Sequence, residues 1–389
     1  MLASKDERFE YLDSLRGLAA LAVVAFHLVE GYGLPSEIRF LDHTPLQSLW
    51  DGKASVRLFF VLSGFVLALK YFRSPKGMAG FSYLGYATSR VFRIMPLFIV
   101  VLLLSVLARN YFFFHYPTIP AQTPWFADFW KSPVSVKSLL QESLLVIRIP
   151  FESSQRMIPQ DWTLTEELKQ SMLVPVLVFV ALRSQFLLLV TMTLFTVWKP
   201  GHALLDFYLG VVVAQNLPYL KRKWQTMHLA TKLGVLAVAV LLYSVCSYRI
   251  DDPALRRQLV GLGSVLIIII TAASVRVQNA LNVPVLSFLG KISYGLYLTH
   301  FIFLLCLTPH CVYLLNQVSL VDGYSTRLVA LLLMIASTIL LSFALYQLIE
   351  LPFIRWGKTT FTKIDELISY TKLILQKNAL NLIEIGFAG

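Results

Sequence analysis

The sequence predicts an all-α protein, a polytopic membrane bundle of about ten transmembrane helices. Of its 389 residues, 57% are hydrophobic and only 14% are charged, whereas charged residues make up about a quarter of a typical soluble domain. Apolar stretches long enough to cross a bilayer recur from one end of the chain to the other. Lysine and arginine are concentrated in every second loop between these stretches, which is the positive-inside pattern of membrane proteins.

The predicted membrane segments follow one another closely, and two of them are short for a full crossing. They are 12–30, 55–71, 92–113, 170–183, 185–198, 203–218, 232–248, 258–274, 285–308 and 326–348. The fourth and fifth are shorter than the roughly 20 residues that a membrane helix needs, so they can also form one broken or re-entrant unit. We expect one membrane domain over 1–355 and an amphipathic tail over 356–389 that lies on the cytoplasmic membrane surface, in contact with lipid.

The net charge of +12 invites a nucleic-acid-binding interpretation, but the placement of the charges favours topology. With the N-terminus inside, the even-numbered loops and both tails face the cytoplasm, and they carry a large group of basic residues. These residues are Lys5, Arg8, Lys70, Arg73, Lys76, Arg90, Lys221, Arg222, Lys223, Lys232, Arg276, Lys291, Arg355, Lys358 and Lys363. Ten spans then put both termini in the cytoplasm. We expect a protein of the cell (inner or plasma) membrane, and no nucleic-acid partner. The three cysteines have no metal-binding spacing, so we expect no metal.

The first apolar segment carries Arg16 and His27, eleven residues apart. A helix turns about 100° and rises about 1.5 Å per residue, so the two side chains share one stripe, about 16 Å apart. Ionisable groups are costly inside a membrane and are usually functional there. The pair suits a fixed cation for an anionic ligand and a deeper imidazole for proton transfer.

Two further motifs have both a packing and a functional interpretation. Ser63 and Gly64 in LFFVLSGF are small residues that let a neighbouring helix approach closely, and packing is the better explanation of that motif alone. Arg90 and Arg93 lie three residues apart at the start of the third span. They either snorkel and fix topology or grip the phosphates of a nucleotide-type ligand.

The remaining polar residues of the spans are candidates for a general base and its surroundings. In DWTLTEEL, Glu167 is expected at the depth of His27, where a carboxylate could orient the imidazole. The long segment 114–167 is rich in aromatic residues, which either stack on sugar rings or form an interfacial belt. His300 could equally hold a hydrogen bond between helices or touch substrate. Lys291 is expected at the cytoplasmic end of its helix.

Together these segments resemble the acyltransferase 3 family of integral-membrane acyltransferases, which includes O-acetylases of O-antigen, exopolysaccharide and nodulation factors. The matching pieces are LDSLRGLAALAVVAFH, LFFVLSGF, RVFRIMP, WTLTEEL, DFYLG, FLGKISYGLYLTH and IELP, in one order across 12–353. The chain departs from the family at Lys169-Gln170-Ser171, where aromatics are usual. It also lacks the arginine often found before the F-x-x-G element, and His202 lies nearby instead.

The resemblance implies transfer of an acyl group, expected to be acetyl, from cytoplasmic acyl-CoA to a hydroxyl of a carbohydrate or glycolipid acceptor. It implies that Arg16 and His27 are the essential pair of the first helix and that Arg90 and Arg93 match the Arg-x-x-Arg feature of the family. For the mechanism we expect that His27, with Glu167, is catalytic, and that Arg16, Arg90, Arg93 and Lys291 bind the coenzyme. Asp13, Ser63, Trp162 and His300 are then expected to contact substrate. A covalent acyl-His27 intermediate fits the same residues. A transporter or flippase of a polar substrate, or a non-enzymatic sensor, would also line a bundle with such groups.

Overall fold

In a computed structural model the chain is helical, as the sequence predicts. The structure describes residues 9–34, 36–75, 77–113, 123–131, 133–144, 156–318 and 323–360, and no strand occurs among them. The predicted amphipathic tail lies outside the described residues from position 361 onward. The helices are α1 Glu10–Tyr32, α2 Gly52–Arg73, α3 Tyr83–Phe112, α4 Val136–Ser143, α5 Asp161–Arg183, α6 Gln185–Trp198, α7 Ala203–Thr226, α8 Leu229–Val240, α9 Cys246–Arg249, α10 Pro253–Ala273, α11 Val275–Leu281, α12 Pro284–Lys291, α13 Ser293–Val318 and α14 Gly323–Leu345.

The polytopic helical membrane bundle is confirmed. Within the described ranges, eight helical segments are long and apolar enough to cross a membrane. α5 and α6 correspond to the two short predicted segments: α5 has 23 residues but a polar first half, and α6 has only 14 residues. The ninth predicted segment is broken at Ile292, where α12 ends and α13 begins.

Side-chain caps explain several helix starts, because the first backbone N–H groups of a helix lack partners within it. Asp51 accepts a hydrogen bond from the backbone of Ala54 at the start of α2. Ser82 and Ser184 cap α3 and α6 in the same way. At α10, Asp252 caps the helix and Pro253 occupies its first position, where a missing N–H costs nothing.

A buried carboxylate fixes the chain that leads into α5. Glu142 of α4 accepts hydrogen bonds from the backbone N–H groups of Met157, at 3.0 Å, and Ile158, at 2.7 Å. Burial raises the pKa of Glu142 to about 7, although these two hydrogen bonds oppose that shift. The contact holds the residues just ahead of Gln160 and Trp162 against the bundle.

Two helix crossings depend on glycine. A Cβ atom on Gly210 of α7 would lie 2.3 Å from the carbonyl oxygen of Val61, and one on Gly64 of α2 would lie 2.5 Å from that of Phe207. The packing interpretation of Gly64 is therefore confirmed. At the second crossing, a Cβ on Gly290 would lie 2.3 Å from the backbone carbonyl of Asp13 in α1. These close backbone approaches bring α1, α2, α7 and α12 together around the polar residues of the first two helices.

Gly210→Ala is expected to destabilise the bundle, because the added methyl group meets backbone that cannot rotate away. Overpacking of this kind typically costs about 1–3 kcal/mol. Thermal unfolding of the purified protein measures the effect. Gly234→Ala is the matched control, since a Cβ there has no neighbour within 4 Å. Equal melting temperatures for the two variants would contradict the expectation.

Candidate active site

A cavity of about 650 Å³ lies around the end of α1, and we call it the histidine cavity. His27 forms part of its wall, next to the aromatic rings of Trp125, Phe129 and Phe301. The His27 ring stacks on Trp125 with centroids 5.9 Å apart, and Phe301 meets it edge-on at 4.8 Å. Trp125 and Phe129 come from the long aromatic segment, which therefore contributes directly to this cavity.

The hydrogen bonds of His27 define its tautomer. Nδ1 of His27 lies 3.0 Å from the carbonyl oxygen of Val23, and a carbonyl oxygen only accepts, so Nδ1 carries the proton. By the same reasoning His300 is protonated on Nδ1, which lies 3.1 Å from the carbonyl oxygen of Leu296. Nε2 of His300 is then an acceptor 3.1 Å from Nδ1 of His27, so the single Nδ1–H of His27 is shared between Nε2 of His300 and the Val23 carbonyl oxygen. The lone pair of His27 is left on Nε2.

The predicted pairing of Glu167 with His27 is wrong. The Glu167 carboxylate lies 3.0 Å from Nη2 of Arg90 and 3.4 Å from the hydroxyl of Ser63. The reason is that α5 begins at Asp161. Its first turn, with Trp162, lines the histidine cavity, and Glu167 lies more than one turn further along the helix. His300, rather than a carboxylate, is the side chain that contacts His27. This contact joins α13 to α1, and His300 is not among the residues that line the histidine cavity.

A second pocket, of about 70 Å³, contains Arg16, Arg93, Ser63 and Glu167, and we call it the arginine pocket. Arg93, Arg90 and Glu167 all lie within electrostatic range of Arg16, and Asp13 approaches it at 4.0 Å. Arg93 is exposed and, among the described residues, has no carboxylate within salt-bridge distance. The guanidinium group of Arg93 is thus available to an anion, and that of Arg16 lies beside it.

The two arginines of the third span do different things in the structure. Arg90 is only 6% exposed, and it donates from Nη2 to Glu167 and from Nε, at 3.3 Å, to the hydroxyl of Ser171. The guanidinium group of Arg90 is thus already bonded to Glu167 and Ser171. Arg90 therefore positions Glu167, and, unlike Arg93, it does not line the arginine pocket. Ser171, one of the departures from the family pattern, is therefore part of the arginine cluster.

The two pockets meet at shared side chains. Val56 of α2 and Tyr297 of α13 line both the histidine cavity and the arginine pocket. The Tyr297 hydroxyl lies 2.6 Å from that of Thr163, and Gln160 donates to the Tyr297 carbonyl oxygen at 3.0 Å. Thr163 lines the arginine pocket and Gln160 lines the histidine cavity, so polar groups lie on both sides of the boundary that Val56 and Tyr297 form.

Of the other residues predicted for the site, some line a pocket and others lie outside both pockets. Trp162 lines the histidine cavity and is 38% exposed. Asp13 lies beside Arg16 at the α1–α12 crossing. Lys291 is exposed at the end of α12 and is not among the residues that line either pocket. His202 caps α7, where its Nδ1 accepts from the backbone of Leu204, and burial lowers its pKa.

Sequence reasoning missed a set of cations on the wall of the histidine cavity. They are Lys53, Arg57, Arg256 and Arg257. Arg57 forms a buried ion pair with Asp206 of α7, with 2.7 Å between the two side chains. The available signal was an arginine inside the second apolar segment and an aspartate inside the sixth, since buried charges are normally paired.

The fold and the site define a class of protein: a multi-pass helical membrane protein in which an arginine pocket adjoins a histidine cavity. A family model described as an acyltransferase domain matches residues 9–347. The chain belongs to this acyltransferase 3 family, as its motifs predict, and the family supports an acyltransferase activity. No curated protein and no solved structure matches the chain. Within the part of the chain that the structure describes, no group of three or more His, Cys, Asp or Glu residues is arranged to hold a metal ion.

Proposed function

We propose that the protein transfers an acyl group, acetyl in the first instance, from cytoplasmic acyl-CoA to a hydroxyl of a cell-envelope or secreted carbohydrate or glycolipid. The observation that carries the proposal is the unprotonated Nε2 of His27 on the wall of a cavity that meets an arginine pocket. The cavity holds the acceptor, and the pocket holds the anionic end of the donor. Membership of the acyltransferase 3 family supports the same chemistry.

The donor binds at the start of α1. The phosphates of CoA lie against Arg93 and Arg16, because planar guanidinium groups suit phosphate oxygens. Glu167 and Arg90 hold this cluster in place through their salt bridge. The pantetheine arm then extends past Val56 and Tyr297, which line both pockets, toward His27. Arg16 and His27 are about 16 Å apart along the helix, a distance that an extended pantetheine arm can cover.

The chemistry takes place in the histidine cavity. Nε2 of His27 removes the proton of the acceptor hydroxyl while the hydroxyl oxygen attacks the thioester carbonyl carbon. The new C–O bond forms, the C–S bond breaks, and the CoA thiolate leaves with the proton that His27 releases. Nε2 of His300 accepts from Nδ1 of His27 throughout, which keeps the base in its working tautomer and stabilises the imidazolium.

The proposed orientation of the protein in the membrane follows from the number of crossings and from the basic residues of the loops. Counting α5 and α6 with the eight long apolar helices gives ten crossings within the described residues, which puts both ends on one side. The basic residues of that side make it the cytoplasmic one, in the cell (inner or plasma) membrane. The arginine pocket then faces the cytoplasm, where acyl-CoA is made, and the histidine cavity faces the opposite side. The domain assignment, with a membrane acyltransferase domain over 1–355 and a surface tail after it, belongs to the same proposal.

Purified protein incubated with acetyl-CoA tests the activity directly. The enzyme releases free CoA slowly by hydrolysis and faster when an acceptor is present, whereas a transporter, flippase or sensor leaves acetyl-CoA intact. Mass spectrometry of envelope glycans from a deletion strain and its parent identifies the acceptor, through the loss of one acyl group. Unchanged glycans together with no release of CoA would overturn the proposal.

Arg93→Ala is expected to raise the KM for acetyl-CoA about tenfold, because one hydrogen bond to a charged group contributes about 1.5–3 kcal/mol. Initial rates at varied acetyl-CoA concentration measure the change. Arg222→Ala is the matched control, since Arg222 is an exposed arginine near the end of α7, away from the arginine pocket. An unchanged KM in Arg93→Ala would contradict the donor assignment.

A further inference from the structure

The wall of the histidine cavity is unusually rich in positive charge for a site that takes a carbohydrate. Lys53, Arg57, Arg256 and Arg257 all line it, and Glu30 is the only carboxylate among the described residues of the wall. A neutral sugar needs hydrogen bonds and aromatic faces, which Gln160, Trp125 and Trp162 already supply. The surplus of cations therefore requires a separate explanation.

The structure leaves most of these cations without an acidic partner. Asp206 neutralises Arg57 at 2.7 Å. Arg256 makes only a long contact, 3.4 Å, with the carbonyl oxygen of Ile250, and the Lys53 ammonium group lies 5.7 Å from the centre of the Phe26 ring. Arg257 is exposed, and its electrostatic neighbours are the like charges of Arg57 and Arg256 and the carboxylate of Asp206, which is already paired with Arg57. No carboxylate in the described part of the chain lies within 4.0 Å of Arg256, Arg257 or Lys53.

Like charges held on one wall repel each other, and an anion between them removes that repulsion. Arg256 and Arg257 are held in place because Asp252 and Pro253 fix the first turn of α10 directly ahead of them. A guanidinium fork donates two parallel hydrogen bonds to a carboxylate or a phosphate group. The wall is therefore suited to an anion that enters with the substrate and leaves with the product.

We propose that the acceptor is an anionic carbohydrate, whose carboxylate or phosphate group binds at Arg256, Arg257 and Lys53 while its hydroxyl reaches His27. This inference rests on the proposed function and names the substrate class of that same site. Trp162 and Trp125 contact the sugar between the two ends. Arg57 stays paired with Asp206 and does not contact the anionic group.

The phosphates of CoA are the other anions that could reach this cluster, but the placement of the arginine pocket argues against it. Arg16 and Arg93 lie at the start of α1, and the histidine cavity lies around the end of that helix. A donor with its phosphates at Arg256 would have to enter the bundle from the same side as the acceptor. The experiment below separates the two assignments.

Thermal-shift titration of the full-length protein in lipid nanodiscs tests the inference with three probes: methyl β-glucuronoside, methyl glucose 6-phosphate and neutral methyl β-glucoside. We expect the wild type to bind at least one anionic probe about tenfold or more tightly than the neutral one. The comparison of the two anionic probes shows whether the group is a carboxylate or a phosphate. Arg256→Gln/Arg257→Gln should remove the preference, and Glu30→Gln should strengthen it, because the only carboxylate of the described wall is then neutral.

Arg222→Gln is the matched control, since it removes one exposed positive charge away from the cavity and should keep the preference. Release of CoA from acetyl-CoA without acceptor, measured on the same preparations, reports the proposed function separately. If that activity is present but the wild type shows no preference for either anionic probe, the inference is overturned and the proposed function stands. A higher KM for acetyl-CoA in Arg256→Gln/Arg257→Gln, with the anionic preference kept, would assign the cluster to the donor and also overturn the inference.

Discussion

His27→Ala is expected to lower the rate of acyl transfer by about 10²–10⁴-fold, the usual contribution of a positioned general base. The variant removes an imidazole on the cavity wall whose hydrogen bonds through Nδ1 leave the lone pair on Nε2. A sugar hydroxyl attacks a thioester poorly without such a base. The measurement is the single-turnover rate at saturating acetyl-CoA and acceptor, which separates the chemical step from binding.

Binding and folding should survive the loss of His27. The KM for acetyl-CoA should stay near the wild-type value, because the arginine pocket does not include His27. Thermal unfolding of His27→Ala and of the more conservative His27→Gln serves as the folding control. A well-folded His27→Ala protein that transfers acyl groups at the wild-type rate would remove His27 from the mechanism.

The helical period was sufficient to predict the relation between Arg16 and His27. Eleven residues on a regular helix bring two side chains to one face whatever surrounds them, and α1 is one uninterrupted helix that carries both. The close helix contact at Gly64 follows equally directly, because small residues inside apolar helices usually mark contacts. Local geometry of this kind needs no knowledge of which helices are neighbours.

The helical period does not predict which side chains of different helices contact each other. The depth argument for Glu167 assumed that its helix begins near the residue itself, but α5 begins at Asp161. Trp162 therefore reaches the histidine cavity, and Glu167 reaches the arginine pocket. His300 was recognised as a candidate, yet its partner, His27, lies 273 positions away in the chain, and a single sequence contains no information on that contact.

The ion pair of Arg57 and Asp206 was missed for the same reason, and its removal is the second change with a large expected effect. Asp206→Leu is expected to destabilise the protein by about 3–5 kcal/mol, because it leaves Arg57 charged and buried without its partner. Both side chains are nearly inaccessible, at 10% and 4% exposure. A Cβ on Gly261 would lie 2.7 Å from the Asp206 carboxylate, so the bundle is shaped around this group. Thermal unfolding in nanodiscs measures the loss.

The double variant Arg57→Met/Asp206→Leu shows whether the loss comes from the stranded charge or from the change in shape. Replacing both members of a buried pair by apolar residues of similar volume is often neutral or stabilising, so the double variant should recover most of the stability that Asp206→Leu loses. A double variant as unstable as Asp206→Leu would attribute the effect to packing against α7. An Asp206→Leu protein as stable as the wild type would mean that Arg57 reaches water through the histidine cavity and needs no counterion.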